Sequence, residues 1–331
     1  MEFLQYTAGV DDDGRRIDRV IRIFLKSIPM TEIYKLIRKG LIRVNGKRVE
    51  CSYRIRKDDE IKIPCFSMDS ASSTKLSVET DFPTVYDVYK NSFVRIINKP
   101  YGMSVHGGGS ISDKTPSLEQ IVNAQFIPEN ESLSFRPGPL HRIDRHTTGL
   151  VVFSQNHKGA VIFSEMLQKH QIKKEYLAIL SGNLGTEVTW EDLIENDEDS
   201  SAFHTVKIGE GKLARTKVTP IAHGDFSGSD ITLAIVEIDT GRKHQIRSQC
   251  AYHNFPLLGD TAYNNNSKNS LDTNGRFYLH SWRMTFPVDN KLELPETITA
   301  PLPTNFQNFI RNHLSQDEFS NYNIILYEPV E

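Results

Sequence analysis

The apolar positions of this chain change period several times, and each change marks an element. Residues 16–26, RIDRVIRIFLK, set Arg and Lys against Ile, Val, Phe and Leu at helical spacing. A second helix is predicted from Thr31, as N-cap, through Ile33, Leu36 and Ile37 to Gly40, as C-cap. LIRVNGKRV then reads as strand, Asn45-Gly46 turn, strand, and EIKIP as a further short strand after Asp58-Asp59. Residues 67–80, SMDSASSTKLSVET, are rich in Ser and Thr and poor in large apolar side chains, and read as a flexible linker. They separate a module at 1–66 from a body at 81–331. In the body, FVRIIN, LVVF, YLAIL and ITLAIVEI are short β-favouring runs predicted as strands, YLAIL as a central one. Residues 158–170 bring Ala160, Phe163, Met166 or Leu167, and His170 to one helical face, an amphipathic helix against the sheet. Residues 187–199 carry seven acidic side chains and no Lys or Arg, which predicts a solvated surface segment. After the proline-rich stretch 295–303, Phe306, Phe309 and Ile310 recur in a C-terminal amphipathic helix. There is no internal repeat.

The chain has 331 residues, 38% of them hydrophobic and 24% charged, which suits one large domain plus a small one. No apolar run approaches the ~18 residues of a membrane span. The start, MEFLQYTAGVDDDG, has no basic-then-apolar leader, so a cytoplasmic protein is expected. Cys51, Cys65 and Cys250 form no CxxC pair and no metal spacing, which fits a reducing compartment without a metal site. The net charge of −3 conceals an asymmetry: residues 15–57 hold 14 Lys+Arg against 3 Asp+Glu, leaving 25 against 39 elsewhere. A basic module on a near-neutral or acidic body follows. Lys35, Arg38 and Lys39 on the second helix and Arg43, Lys47 and Arg48 in the hairpin can form one phosphate-contacting surface. The alternative is a solvated charged face on a small packing domain. No aromatic stacking platform is evident in this module, so base-specific reading is not implied there.

The candidate chemistry centres on residues 136–153, RPGPLHRIDRHTTGLVVF. One carboxylate, Asp144, sits among His141, Arg142, Arg145 and His146, on a Pro/Gly-constrained loop that runs into a buried strand. Neighbouring cations favour its charged form. A rigidly placed carboxylate suits a nucleophile or an electrostatic stabiliser, or simply ties its loop to the arginines. KPYGMSVHGGG places Lys99, His106 and three glycines in a turn and loop. His106 reads more readily as a structural hydrogen-bonder than as a catalyst. Without GxGxxG in a βαβ unit, and without GxxxxGK[ST], no nucleotide cofactor is expected.

Several of these stretches resemble one family. HRIDRHTTGL is similar to the HRLDxxTSGL signature of the RluA-type pseudouridine synthases, with Ile143 for Leu and Thr148 for Ser. Lys99-Pro100 and His106 are similar to the family's NKPxGxxVH element, Lys174 and Tyr176 to its KxY element, and Ala214-Arg215-Thr216 to its AxT strand. GRKHQIRSQCAYHNFPLLGDTAY resembles GRxHQIRxHLAxxGxPxxGDxxY, with Gln249 in place of His and Asn254 in place of Gly. FYLHSWRMTF resembles the late LHA strand, and IRKG with VNGKRV resembles the S4 RNA-binding domain.

The resemblance implies an α+β fold: a mixed, mainly antiparallel central sheet with helices flanking a cleft, and a small S4-like α/β domain at the N-terminus. It implies that Asp144 is the catalytic nucleophile, attacking C1′ of the ribose or C6 of the base. Arg247 would pair with it, its guanidinium fork fixing both carboxylate oxygens. Tyr176 would stack on a flipped-out uridine and has been proposed as proton acceptor; read alone it is an interior tyrosine with a satisfied hydroxyl. Leu279 would form the wall under the base. His141 and Arg142 are candidates for holding RNA beside the pocket, whereas Arg242, His244 and Gln245 read equally as RNA contacts or as structural residues. The S4-plus-synthase order is that of large-subunit ribosomal RNA synthases of the RluC and RluD kind. The expected partner is therefore RNA, 23S ribosomal RNA first, with no membrane and no small-molecule cofactor. A transfer-RNA synthase, a non-catalytic ribosome-assembly factor and an Asp-nucleophile hydrolase are the competing readings; for the last, no His base or oxyanion motif is placed.

Overall fold

A computed structural model of the chain describes residues 3–25, 28–65, 84–107, 115–127, 132, 134–195, 207–209, 211–264 and 276–326. The expected linker at 67–80, the three glycines in part, and the end of the acidic run lie outside these residues.

The N-terminal module packs β1 (Phe3–Thr7), α1 (Ile17–Phe24), α2 (Met30–Arg38), β2 (Arg43–Val44), β3 (Lys47–Arg48) and β4 (Glu60–Pro64) around one core. Its sheet runs β1-β4-β2-β3. Ile17, Val20 and Ile21 of α1 meet Ile33 and Ile37 of α2 and Ile61 and Ile63 of β4, all fully or almost fully buried. The periodic apolar positions therefore did set the helices. Strand β1 had no such signal: its side chains are mostly exposed, and it is held by backbone pairing to β4. Helix α2 has its N-cap at Pro29, two residues before the expected Thr31, and without a side-chain cap. Its end follows the expectation: Gly40 takes φ +70°, and the Leu41 N–H donates to the Leu36 carbonyl, as helix-ending glycines permit.

The body is built on a sheet that, among the described residues, has ten strands. In chain order these are β5 (Tyr86–Lys90), β6 (Val94–Lys99), β7 (Thr148–Ser154), β8 (Lys173–Ser181), β9 (Val188–Glu195), β10 (Lys207–Ile208), β11 (Lys212–Phe226), β12 (Ser229–Ile238), β13 (Leu279–Thr285) and β14 (Thr297–Thr299). They lie in the order β10-β9-β11-β12-β8-β13-β7-β6-β5, with β14 on β13. Among the described residues every strand pairing of this sheet is antiparallel except β13 with β7, through His280–Thr148 and Ser281–Gly149. The acidic run is thus not a free surface segment up to Glu195. It is a strand, because Trp190 and Ile194 alternate inward between exposed acids.

Strand β8 is buried on both faces. Tyr176, Ala178 and Leu180 point to the side that holds α3 (Leu118–Gln125) and α5 (Gln245–Tyr252). Leu177 and Ile179 point to the side covered by α6 (Thr304–His313), through Phe306, Phe309 and Ile310. Farther along that second side, α4 (His157–Gln168) lays Phe163 and Met166 on Leu150 and Val152 of β7. This explains why the apolar runs are continuous rather than alternating.

The parallel junction has a strict steric requirement. Gly149 has φ +105°, and a Cβ there would lie 2.2 Å from the Ser281 carbonyl oxygen. Gly149→Ala is therefore expected to cost about 3 kcal/mol or more, from the backbone conformation and the backbone clash together. Gly46→Ala, at φ +74° with open space around it, should cost only about 1 kcal/mol. Urea unfolding of the two variants checks this; equal losses would contradict it.

Candidate active site

The junction of β7 and β13 also sets the floor of a cleft of about 680 Å³. Asp144 reaches it from the loop entering β7, Leu279 from the start of β13, and Tyr176 from β8. Leu279 is in register with Ala178, two residues along from Tyr176, so Leu279 and Tyr176 share one face. Arg142, Lys212, Arg242, Lys243 and Arg247 line the same cleft, with Glu195 as the other acidic side chain. A strongly cationic wall thus surrounds a partly exposed carboxylate.

Arg247 does approach Asp144, but not as a fork. Its Nη1 lies 3.7 Å from Asp144 Oδ2, an ion-pair distance. The bidentate pair is made with Asp260: Nε to Oδ2 at 2.7 Å and Nη2 to Oδ1 at 2.8 Å, both groups buried. The guanidinium also lies over the rings of Tyr263 and Phe277, at 5.0 and 4.6 Å. Asp260 comes from the GDTAY part of the motif, which carried no such assignment from sequence. It takes the Nε–Nη2 edge of the guanidinium, and Nη1 is the nitrogen turned to Asp144.

His244 is the other near neighbour of Asp144, with Nε2 3.8 Å from Oδ1 and Nδ1 3.0 Å from the Tyr263 hydroxyl. It starts α5 in the left-handed region, at φ +53°, an uncommon conformation for this residue type. Burial, opposed by Asp144 and reinforced by Arg247, brings its imidazole down to about 4, so the ring is neutral at neutral pH. Gln245 is structural: it accepts from the Thr240 hydroxyl and the Arg242 N–H and donates to Arg215 and Thr216. Gln249 accepts from the Thr216 hydroxyl and donates to Asp192 Oδ2. The residue that replaces the family's histidine therefore ties α5 to β11 and β9, away from the cleft lining.

Tyr176 is buried, its hydroxyl paired with Ser281, and burial pushes its phenol up to about 12. The phenol is neutral at neutral pH. His141 is a correction to the expected RNA contact. The Val152 N–H donates to its Nε2 at 3.1 Å, its ring stacks on Phe163, and burial pulls it down to about 3. It is a neutral support beneath the Asp144 loop and does not line the cleft, whereas Arg142 is exposed and does.

Lys99 is a second support that sequence reasoning left unassigned. It is fully buried, and Nζ donates to the carbonyls of Pro100, Met103 and Arg145 at 2.9–3.0 Å. Burial lowers its ammonium to about 7 against the pull of Asp144. The Arg145 Nε donates to the Gly102 carbonyl, and the Gly102 N–H donates to the Arg145 carbonyl. The KPYG turn and the Asp144 loop are therefore one fastened unit. His106 pairs with Glu119 at 3.4 Å, consistent with a structural role.

In the basic module, Lys35, Arg38, Lys39, Arg43, Lys47 and Arg48 are all exposed. Arg43 and Arg48 face each other across β2 and β3, Arg43 donates to the Gly40 carbonyl, and Arg48 lies over Gly40. The helix end and the hairpin are therefore one continuous cationic surface; Lys35 pairs with Glu32 at its edge. The module is fastened to the body. The Ser132 and Ser134 hydroxyls donate to Asp12, Arg15 donates to Ser134, and the His157 N–H donates to Asp11.

Residues 94–252 match the family described as RNA pseudouridylate synthase, and residues 15–61 match the S4 domain. Among curated proteins the chain is similar to Ribosomal large subunit pseudouridine synthase C of Buchnera aphidicola subsp. Acyrthosiphon pisum. The two are 30% identical over 315 residues, 90% of this chain and 93% of that one. The same-named protein of Buchnera aphidicola subsp. Baizongia pistaciae is 29% identical over 327 residues, 94% and 96% of the two chains. Among solved structures, Human RNA Pseudouridylate Synthase Domain Containing 1 aligns with a TM-score of 0.55 at 23% identity, covering 67% of this chain and 86% of that one, a likeness of fold.

Below β7 and β13, the Thr148 hydroxyl lies 2.7 Å from His280 Nδ1, and His280 Nε2 faces the Ala300 carbonyl. The carbonyl requires a donor at Nε2, so Nδ1 accepts from Thr148. Burial holds this imidazole down at about 4, against about 6.5 in an unfolded chain. The unfolded state then takes the proton first. The stability difference is fully present above pH 6.5 and is lost as pH falls towards 4. The loss is roughly 3 kcal/mol for this site. Denaturant titrations at pH 7 and pH 4 should show a smaller acid loss in His280→Gln than in wild type; parallel losses would contradict the assignment.

Proposed function

We propose that this chain, which belongs to the RNA pseudouridylate synthase family and carries an S4 domain at its N-terminus, isomerises uridine to pseudouridine in ribosomal RNA of the large subunit, with Asp144 as the nucleophile. The observation that carries the reading is the placement of Asp144 on the floor of a cationic cleft, between Arg247 and His244 and on the same wall as Tyr176 and Leu279. The large-subunit relatives that match over nine-tenths of the chain support the choice of RNA. The exposed cations of the module support RNA binding outside the cleft. The division into a module at 1–66 and a catalytic body at 81–331, and a cytoplasmic setting, belong to the same proposal. Among the described residues, no helix is long and apolar enough to cross a membrane.

In this reading a uridine leaves its stack and enters the cleft, where Tyr176 and Leu279 supply an apolar wall for the base. The Asp144 carboxylate attacks C1′ or C6. The glycosidic C–N bond breaks, the uracil turns, and C5 bonds to C1′; the bond to Asp144 breaks as C1′ is taken by C5 or as C6 is released, and N1 gains a proton in exchange for the one on C5. The proton on C5 must then leave. Arg247 Nη1 holds Asp144 in place without taking both of its oxygens, so one oxygen stays available for attack. A phenol held near 12 makes Tyr176 a packing surface for the base rather than a resting base. Arg142, Lys212, Arg242 and Lys243 line the cleft, and in this reading their charges meet the flanking phosphates.

Tritium release from RNA labelled at C5 of uridine reads the reaction directly. Asp144→Asn is expected to lower release by roughly a thousandfold or more while RNA affinity stays close to wild type; release at the wild-type rate would remove Asp144 from the chemistry. Asp260→Asn leaves Arg247 without its bidentate anchor and is expected to lower the turnover rate by roughly a hundredfold, mainly in kcat. A wild-type kcat in Asp260→Asn would show that Asp260 does not position the cleft.

A further inference from the structure

Beside the cleft, outside its lining, lies a ladder of rings that the reaction above does not use. Tyr101 and His146 are stacked, with centroids 5.0 Å apart and planes 16° from parallel. The Arg276 guanidinium lies over Tyr101 at 5.1 Å, and His146 meets Phe277 edge-on at 6.2 Å. Phe277 is the same ring that lies under Arg247. The ladder therefore begins at the brace of Asp144 and runs outward to the rim. His146 and Arg276 are exposed, and Tyr101 is half-buried.

Its position is rigid. His146 is two residues beyond Asp144, and Tyr101 sits in the turn that Lys99 and Arg145 fasten to the Asp144 loop. Two aromatic rings and a guanidinium in one stack, open to water, have no packing purpose: the apolar core under this loop is completed by Met103, Val105 and Ile143, all buried. Exposed rings interleaved with cations, next to a site that takes an extruded nucleotide, form a surface on which unpaired bases stack.

We propose that the Arg276–Tyr101–His146 ladder is a second nucleobase site, which stacks an unpaired base adjacent to the target uridine and holds the strand open while that uridine occupies the cleft. The proposal rests on the uridine-isomerising reading of the cleft. The site selects for a flat, unpaired base rather than for base identity, because a stacked ring offers no hydrogen-bond code. It takes RNA that is single-stranded or already unpaired at the target and disfavours a continuous duplex. Burial, together with Arg145, Arg247 and Lys99, lowers the His146 imidazole below its ordinary range. Stacking should therefore be insensitive to pH above neutrality.

The full-length protein is titrated with a short single-stranded RNA carrying 2-aminopurine, whose fluorescence falls on stacking, and the same samples are assayed for tritium release. Wild type and His146→Phe are expected to quench the probe. His146→Ala should bind it roughly tenfold more weakly, leave it unquenched, and raise KM for labelled ribosomal RNA more than it lowers kcat. Tyr101→Leu should behave like His146→Ala. No quenching by wild type, wild-type binding by His146→Ala, or failure of His146→Phe to recover quenching would each overturn the proposal. Quenching that depends on His146 but comes without any tritium release would support the base site and sink the isomerase reading instead.

Discussion

Everything at the cleft depends on how one buried guanidinium is held. Arg247 is almost wholly removed from water, where an unpaired charge would be costly. Asp260 neutralises it through two short hydrogen bonds, and two aromatic rings cover its faces. The cation is therefore immobile, and it presents a single remaining nitrogen to Asp144. A carboxylate gripped through both oxygens would be stable and inert as a nucleophile. One approached from the side by Nη1 and by His244 Nε2, each nearly 4 Å away, is oriented without a short hydrogen bond from either. The fold supplies the rest of the rigidity. Asp144 enters β7 just before the parallel pairing with β13, and Gly149 lets the two backbones close to a distance that a Cβ would forbid. Lys99 and His141 hold the loop from below.

In the proposed reading the two bodies divide the work of holding RNA. The module offers a continuous row of exposed cations, suited to phosphates and indifferent to sequence. The cleft offers a smaller cationic rim around one acid, a wall of Tyr176 and Leu279, and the ring ladder beside it. The bonds from Asp11, Asp12 and Arg15 to the body mean that the module is docked and not merely tethered. The sequence led to the expectation of a module and a body separated by a flexible linker. Three short polar side chains, Asp12 in the module and Ser132 and Ser134 in the body, gave no sign that they would meet, since hydrogen bonds between residues about 120 positions apart leave no local pattern.

What was legible in the sequence was what repeats locally. Apolar periodicity located α1, α4, α6 and the central strands, and the Asn-Gly turn located the hairpin. Asp144, Tyr176, Leu279 and Arg247 were brought to one place by the motif resemblance, and the structure does bring them to one cleft. What was not legible depends on partners distant in the chain. The fork of Arg247 goes to Asp260, thirteen residues on and more deeply buried than Asp144. His141 sits in a basic-looking window yet serves as a neutral acceptor, because the Val152 N–H lacks a strand partner there. The acidic residues around Trp190 suggested open surface, but two inward apolar side chains outweigh them once β11 pairs alongside. Strand β1 is held by backbone pairing to β4 and by Tyr6 packing on Phe24, neither of which composition reports.

The most direct test of the whole account is a map of pseudouridine in the large-subunit ribosomal RNA of cells that lack this gene and are then given it back. The account predicts that one or a few uridines lose the modification, that the wild-type gene restores them, and that an Asp144→Asn copy expressed at the same level does not. An unchanged map, or full restoration by the Asp144→Asn copy, would contradict it.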